Sequence, residues 1–135
     1  MQFEKFLEKF DEDDTFICYH PTAPIKIFDC KLDHCECEIN ISKQLSAEEA
    51  LPVLTDYLNW LASCEGEVRS YFVSKLGEEL PVDWYRSIEV YSASITFVKE
   101  TDFGATVSFG ESIFSDHIVE LYFEGHEIVD DILNG

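Results

Sequence analysis

The sequence predicts an α+β domain: a mainly antiparallel sheet with a central helix pair and a short N-terminal helix. Strand formers cluster before residue 43 and again after residue 86, and two runs of helical periodicity lie between them. Strands and helices therefore do not alternate as they do in βαβ proteins. At 135 residues the chain is expected to form a single domain, 1–135, with no internal repeat or linker.

Phe3, Phe6, Leu7 and Phe10 fall at i, i+3, i+4 and i+7 and predict a short amphipathic helix over residues 2–10. The acidic run Asp11 to Asp14 ends it. That run lacks the central glycine and closing glutamate of an EF-hand loop, so it reads as a solvated turn. Thr15 to Tyr19 is strand-like, and the following Pro21 and Pro24 stop its ladder because proline has no amide donor. Ile25 to Leu32 and Cys35 to Ser42 are expected to form a hairpin turning near Asp33 and His34. In the second arm Cys35, Cys37, Ile39 and Ile41 alternate with Glu36, Glu38, Asn40 and Ser42, which predicts one buried and one wet face.

Ser46-Ala47-Glu48-Glu49 is a capping box that starts a helix, with Leu51, Leu54, Leu58 and Leu61 as its apolar stripe. Pro52 lies past the first turn and is expected to kink this helix or shift its start. Gly66 is expected to separate it from a second helix, roughly Glu67 to Leu76, with Val68, Tyr71 and Phe72 on one face and Gly77 as C-cap. The short connection predicts an antiparallel pair. Strands follow over 87–99, 105–109, 117–123 and 127–133, with turns at Asp102-Phe103-Gly104 and Glu124-Gly125-His126. Between Val90 and Ala93 the apolar residues change parity, which predicts a bulge near Tyr91 and Ser92.

Charge bounds the function. With 28 Asp and Glu against 9 Lys and Arg the formal charge is -19, so nucleic acid and anionic membrane are excluded as partners by repulsion. Disorder is excluded in turn by 46% hydrophobic and 14% aromatic residues. No apolar stretch approaches the roughly 20 residues that cross a bilayer. Five cysteines cannot all pair within one chain, and the N-terminal apolar residues are interleaved with Glu4, Lys5, Glu8 and Lys9, unlike a signal peptide. A reduced, cytoplasmic location is expected. After Lys99 there is no Lys or Arg, while Glu100, Asp102, Glu111, Asp116, Glu120, Glu124, Glu127, Asp130 and Asp131 give nine acids in 36 residues. The C-terminal sheet is expected to present a one-signed face, which serves solubility or docks a basic protein.

Cys30, Asp33, His34, Cys35 and Cys37 form the sharpest local cluster. Zinc sites pair thiolates at Cys-x2-4-Cys and need a second pair to complete the tetrahedron, which is missing here. A buried apolar face through Cys35, Cys37, Ile39 and Ile41 explains these cysteines without metal. His20, His34, His117 and His126 show no His-Glu-x-x-His spacing, and His117 and His126 bracket one strand at its opposite ends. There is no Gly-x-Ser-x-Gly elbow and no phosphate-cradling glycine loop. No catalytic, cofactor-binding or metal-ligating residue is assigned.

Ser87-Ile88-Glu89-Val90, then Phe114-Ser115-Asp116-His117-Ile118-Val119-Glu120-Leu121, then Ile128 and a terminal Ile132-x-x-Gly135, resemble a group of small acidic bacterial families of unknown function. Those families carry a helix pair before a Ser-Ile strand and a Phe-x-x-His-x-Ile/Val strand near an Ile-x-Gly end. The resemblance covers about residues 25–135 and offers no catalytic residue to carry over; only His117 matches a recurring position. Similar small acidic proteins occur beside polymorphic toxins, where an immunity protein blocks its cognate toxin. The resemblance and the charge together imply a non-enzymatic acidic binding protein, an immunity protein that occludes the basic cleft of a nuclease-like toxin. Its expected contact residues are Asp116, Glu120, Glu124, Asp130 and Asp131, with Trp84 and Tyr122 as aromatic anchors. Two alternatives stay open: a metal-binding enzyme or sensor using Cys30, His34, Cys35 and Cys37, and a housekeeping domain whose acidity only keeps it soluble.

Overall fold

In the computed structural model, which describes residues 3–134, seven strands form one sheet in the order β1-β2-β5-β6-β7-β8-β9, and β3 and β4 pair separately. The elements are α1 (Phe3–Phe6), β1 (Leu7–Glu12), β2 (Phe16–Pro21), β3 (Ile25–Ile27), β4 (Cys30–Leu32), β5 (Cys37–Ser42), α2 (Ala47–Ala62), α3 (Glu65–Leu76), β6 (Glu89–Lys99), β7 (Asp102–Gly110), β8 (Ile118–Glu124) and β9 (Glu127–Asn134). The α+β class and the dominance of antiparallel pairing stand as expected. Among the described residues only β5 and β6 run parallel, with Cys37 opposite Ala93 and Ile41 opposite Phe97. A parallel neighbour needs a long crossover, and α2 with α3 supplies it.

The N-terminal helix does not form as expected. Phe3–Phe6 is a single helical turn, and Leu7–Glu12 is an edge strand running antiparallel to β2. A nine-residue helix gains little in water, whereas β2 offers a full row of backbone partners. The register shifts between Lys9 and Asp11. Phe10, at that irregularity, stacks on the His20 ring at 3.9 Å instead of entering the core.

The expected hairpin of Ile25–Leu32 with Cys35–Ser42 is also replaced. Residues 25–32 fold on themselves as β3 and β4, with Phe28 and Asp29 both at positive φ (52° and 61°) in the turn, while β5 pairs with β2 and β6. The Phe28 and Asp29 amides donate to the carbonyls of Leu61 and Ala62, at 2.9 and 2.8 Å. This small hairpin therefore caps the C-terminal end of α2, whose last carbonyls have no partner within the helix.

α2 begins where the capping box puts it. Ser46 Oγ accepts from the Glu49 amide at 3.1 Å and the Ser46 amide donates to Glu49 Oε1 at 3.2 Å. The helix runs through Pro52 with no shift of its start. α3 starts at Glu65, so Gly66 lies inside its first turn and the junction is Ser63-Cys64; Gly77 is its left-handed C-cap, φ 73°. The β6 bulge falls between Val90 and Ser92, as the parity change predicts. β7 extends further back than expected, to Asp102, and the β6–β7 turn moves to Glu100-Thr101. Gly104 is thus a strand glycine: a Cβ there would run into the Phe123 carbonyl oxygen, so its role is close approach of β7 to β8.

One face of the sheet carries the core. Ile39 and Ile41 of β5, Ile95 and Phe97 of β6, Val107 and Phe109 of β7, and Val119 and Leu121 of β8 are all at most 3% exposed. They pack beneath Leu54, Tyr57, Leu61, Val68 and Phe72 of the helices. Each such side chain contributes about 1.5–3 kcal/mol of burial. Tyr57 also donates to the Gly125 carbonyl at 2.7 Å, which ties α2 to the β8–β9 turn. Among the described residues no helix is long and apolar enough to cross a membrane.

Candidate functional site

Because side chains alternate along a strand, burying one face leaves the other to the intervening residues. On β6 these are Ser92, Ser94 and Thr96, and on β7 Gly104, Thr106 and Ser108, all partly exposed. The register aligns them into rows across the sheet. One row runs Glu38, Ser94, Thr106, Tyr122, Asp130. A second runs Cys18, Asn40, Thr96, Gly104, Glu124. A third runs Ser92, Ser108, Glu120, Ile132. No Lys or Arg stands in any of them.

The rows form a trough. Its floor is the short, mostly hydroxyl-bearing residues of β6 and β7, and its sides are the longer residues of β5 and β8. At one end a cleft of about 370 Å³ is lined by His20, Glu36, Glu38, Ser94, Thr106 and Glu120. At the other a cleft of about 450 Å³ shares Ser94 and Thr106 and is bounded by Tyr122, Glu124, Val129 and Asp130. Glu120 is held in place by two neutral donors, Tyr122 Oη to its Oε2 at 2.8 Å and Asn134 Nδ2 to its Oε1 at 2.9 Å. His20 Nδ1 lies 2.9 Å from the Cys37 carbonyl oxygen, an acceptor only, so this nitrogen carries the proton.

Of the residues expected to bind a partner, Glu120, Tyr122, Glu124 and Asp130 meet on this face. Asp116 is exposed in the loop before β8, beyond the rows. Asp131 is a correction: it points to the opposite side, its side chain is 3% exposed, and it takes hydrogen bonds from Lys75 Nζ and from Tyr71 Oη at 2.5 Å. Burial works to raise its carboxyl, but these two donors outweigh it and hold the group below the ordinary carboxylate range. Trp84 is a second correction. At 1% exposure it cannot anchor a partner, and its indole donates to Glu111 Oε2 at 2.6 Å. Glu38, Asn40 and the serines and threonines of the floor were not singled out from sequence. The Ser-Ala-Ser-Ile-Thr-Phe alternation of residues 92–97 is the signal that marks them.

The cysteine cluster does not converge. Cys30 Sγ donates to the Ile88 carbonyl at 3.1 Å, Cys37 is buried on the helix side, and Cys35 is exposed in the 3-10 turn His34–Glu36. Among the described residues no group of three or more His, Cys, Asp or Glu is placed to hold a metal ion. All five thiols are free and all are held above the ordinary thiol range. Burial does this for Cys18 and Cys30 and pushes Cys37 and Cys64 up to about 12; for Cys35 the cause is a hydrogen bond with Asp33. Metal ligation and nucleophilic attack both use the thiolate, which this environment suppresses. Iodoacetamide at pH 7 is expected to modify the native protein slowly, at the exposed Cys35 first. Rapid alkylation of any cysteine at pH 7, followed by peptide mapping, contradicts this.

Comparison with family models, curated proteins and solved structures finds no match to this chain.

Proposed function

We propose that this chain is a non-enzymatic binding protein, of the immunity type, that neutralises a basic protein by laying the open face of its sheet over the partner's cationic cleft. The observation that carries this is the open face itself: three register rows spanning up to five strands, with Glu38 on one side, Glu120, Glu124 and Asp130 on the other, and no Lys or Arg. Such a field raises the association rate with a basic partner and repels acidic ones. Exposed Ile118, Val129 and Ile132, each at least 43% exposed, lie beside the carboxylates and supply apolar contact at the sheet edge.

The test is coexpression with the product of the gene adjacent to its own. Wild-type chain is expected to relieve the toxicity of that product and to copurify with it, with binding that weakens as salt is raised. Glu120→Lys combined with Glu124→Lys is expected to weaken the complex at least about 100-fold while leaving the melting temperature near wild type, since both side chains reach solvent. An unchanged affinity in the double variant, or a neighbour that is neither basic nor toxic, overturns the proposal.

A further inference from the structure

The shape of the trough says what part of a partner it takes, given the acidic-face reading on which this inference rests. Its sides stand on β5 and β8, and β6 and β7 lie between them. Three strand spacings of roughly 4.8 Å put the backbones of the two side strands about 14 Å apart, a width that their side chains narrow. An α-helix with its side chains is about 10–12 Å across. The floor residues Ser92, Ser94, Thr96, Gly104, Thr106 and Ser108 are all short, and Asn40 leans over them from the β5 side, its Nδ2 donating to Ser94 Oγ and Thr96 Oγ1 at 3.5 Å. From Ser92 to Thr96 the trough runs about 13 Å along the strands, the length of roughly nine helical residues.

We propose that the trough seats one basic amphipathic α-helix of the partner, running along β6 and β7, with Lys or Arg on both flanks and small residues toward the floor. Charge fits on both sides: Glu36 and Glu38 face one flank, Glu120 and Glu124 the other. A helix also brings its backbone groups already paired, whereas a strand laid flat on this face would depend on side-chain hydroxyls, not on a neighbouring backbone, to pair its amides and carbonyls. The competing arrangement is an extended segment added to the β9 edge. That edge is partly blocked, because Asp130 Oδ1 accepts from the Asp131 amide at 2.8 Å.

Two synthetic 16-residue peptides of equal composition test this. One is helical, with lysines along two flanks and an alanine row between them; the other has the same residues rearranged around two prolines that prevent a helix. Binding is measured by calorimetry at low salt, and the contact is located from amide chemical-shift changes in the labelled protein. The helical peptide is expected to bind at least 10-fold more tightly and to shift the amides of Ser94, Thr106 and Ser108. Thr106→Trp, which fills the floor without changing charge, is expected to reduce that affinity at least 10-fold; Ser94→Tyr serves the same purpose if thermal melting shows that the first variant does not fold. Equal binding of the two peptides, or shifts confined to β9, overturns the helix. If both peptides bind equally and Glu120→Gln with Glu124→Gln weakens both, the helix falls and the acidic-face reading stands. If neither peptide shifts any open-face amide, both fall.

Discussion

Glu111→Leu is expected to lower the unfolding free energy by about 3 kcal/mol, read as a reduced midpoint in urea and in thermal melting. Glu111 is 6% exposed and forms no salt bridge among the described residues. Its carboxylate instead takes the Trp84 indole N–H at 2.6 Å and the amides of Ile113 and Phe114 at 2.7 and 2.6 Å. Leucine fills much of the space but accepts nothing. Water can reach the amides of the loop, whereas the indole of Trp84, packed against Phe72 with ring centroids 5.3 Å apart, stays unpaired. Trp84→Phe in the Glu111→Leu background is therefore expected to cost less than in the wild type. Additive costs would show that the two side chains are not coupled. Glu111→Gln keeps one accepting oxygen and is expected to lose about half as much.

Phe28 gives the second large effect, with an inverted order of substitutions. Its ring is 1% exposed and lies against Tyr85, Phe109 and Phe123, so Phe28→Ala is expected to cost about 3–5 kcal/mol. Its φ of 52° is also one that an L side chain rarely adopts. Glycine loses the same ring but accepts that backbone freely. Phe28→Gly is expected to be more stable than Phe28→Ala by about 1 kcal/mol, the reverse of the usual preference for alanine. Finding alanine the more stable of the two would mean that the turn relaxes out of the left-handed region when the ring is removed.

What was legible in the sequence follows from how far each signal reaches. The Ser46 capping box, the Gly77 cap and the β6 bulge are set by residues a few positions apart, and each appears where expected. Partners distant in sequence were not legible. Leu7–Glu12 becomes a strand because β2 is there to pair with it, and residues 25–32 close on themselves because α2 needs its last carbonyls capped. Trp84 reads as an exposed anchor until Glu111, 27 residues on, is seen to hold it. Half of the candidate face was visible as the base-free run after Lys99. The other half, Glu38 on β5 and Glu36 in the turn just before it, joins it only through the parallel pairing of β5 with β6, which no local pattern announces.

Carboxylate footprinting of the complex tests most directly whether the partner covers the bare face of the sheet. The purified complex and the free chain are labelled with a carbodiimide and an amine, and the modified residues are mapped by mass spectrometry. Glu38, Glu120, Glu124 and Asp130 are expected to be labelled in the free chain and protected in the complex, while Glu48, Glu78 and Glu79, exposed on or after the helices, react equally in both. Protection of Glu48, Glu78 and Glu79 with full labelling of Glu120 and Glu124 would place the partner on the helical side and contradict the role given to the open face.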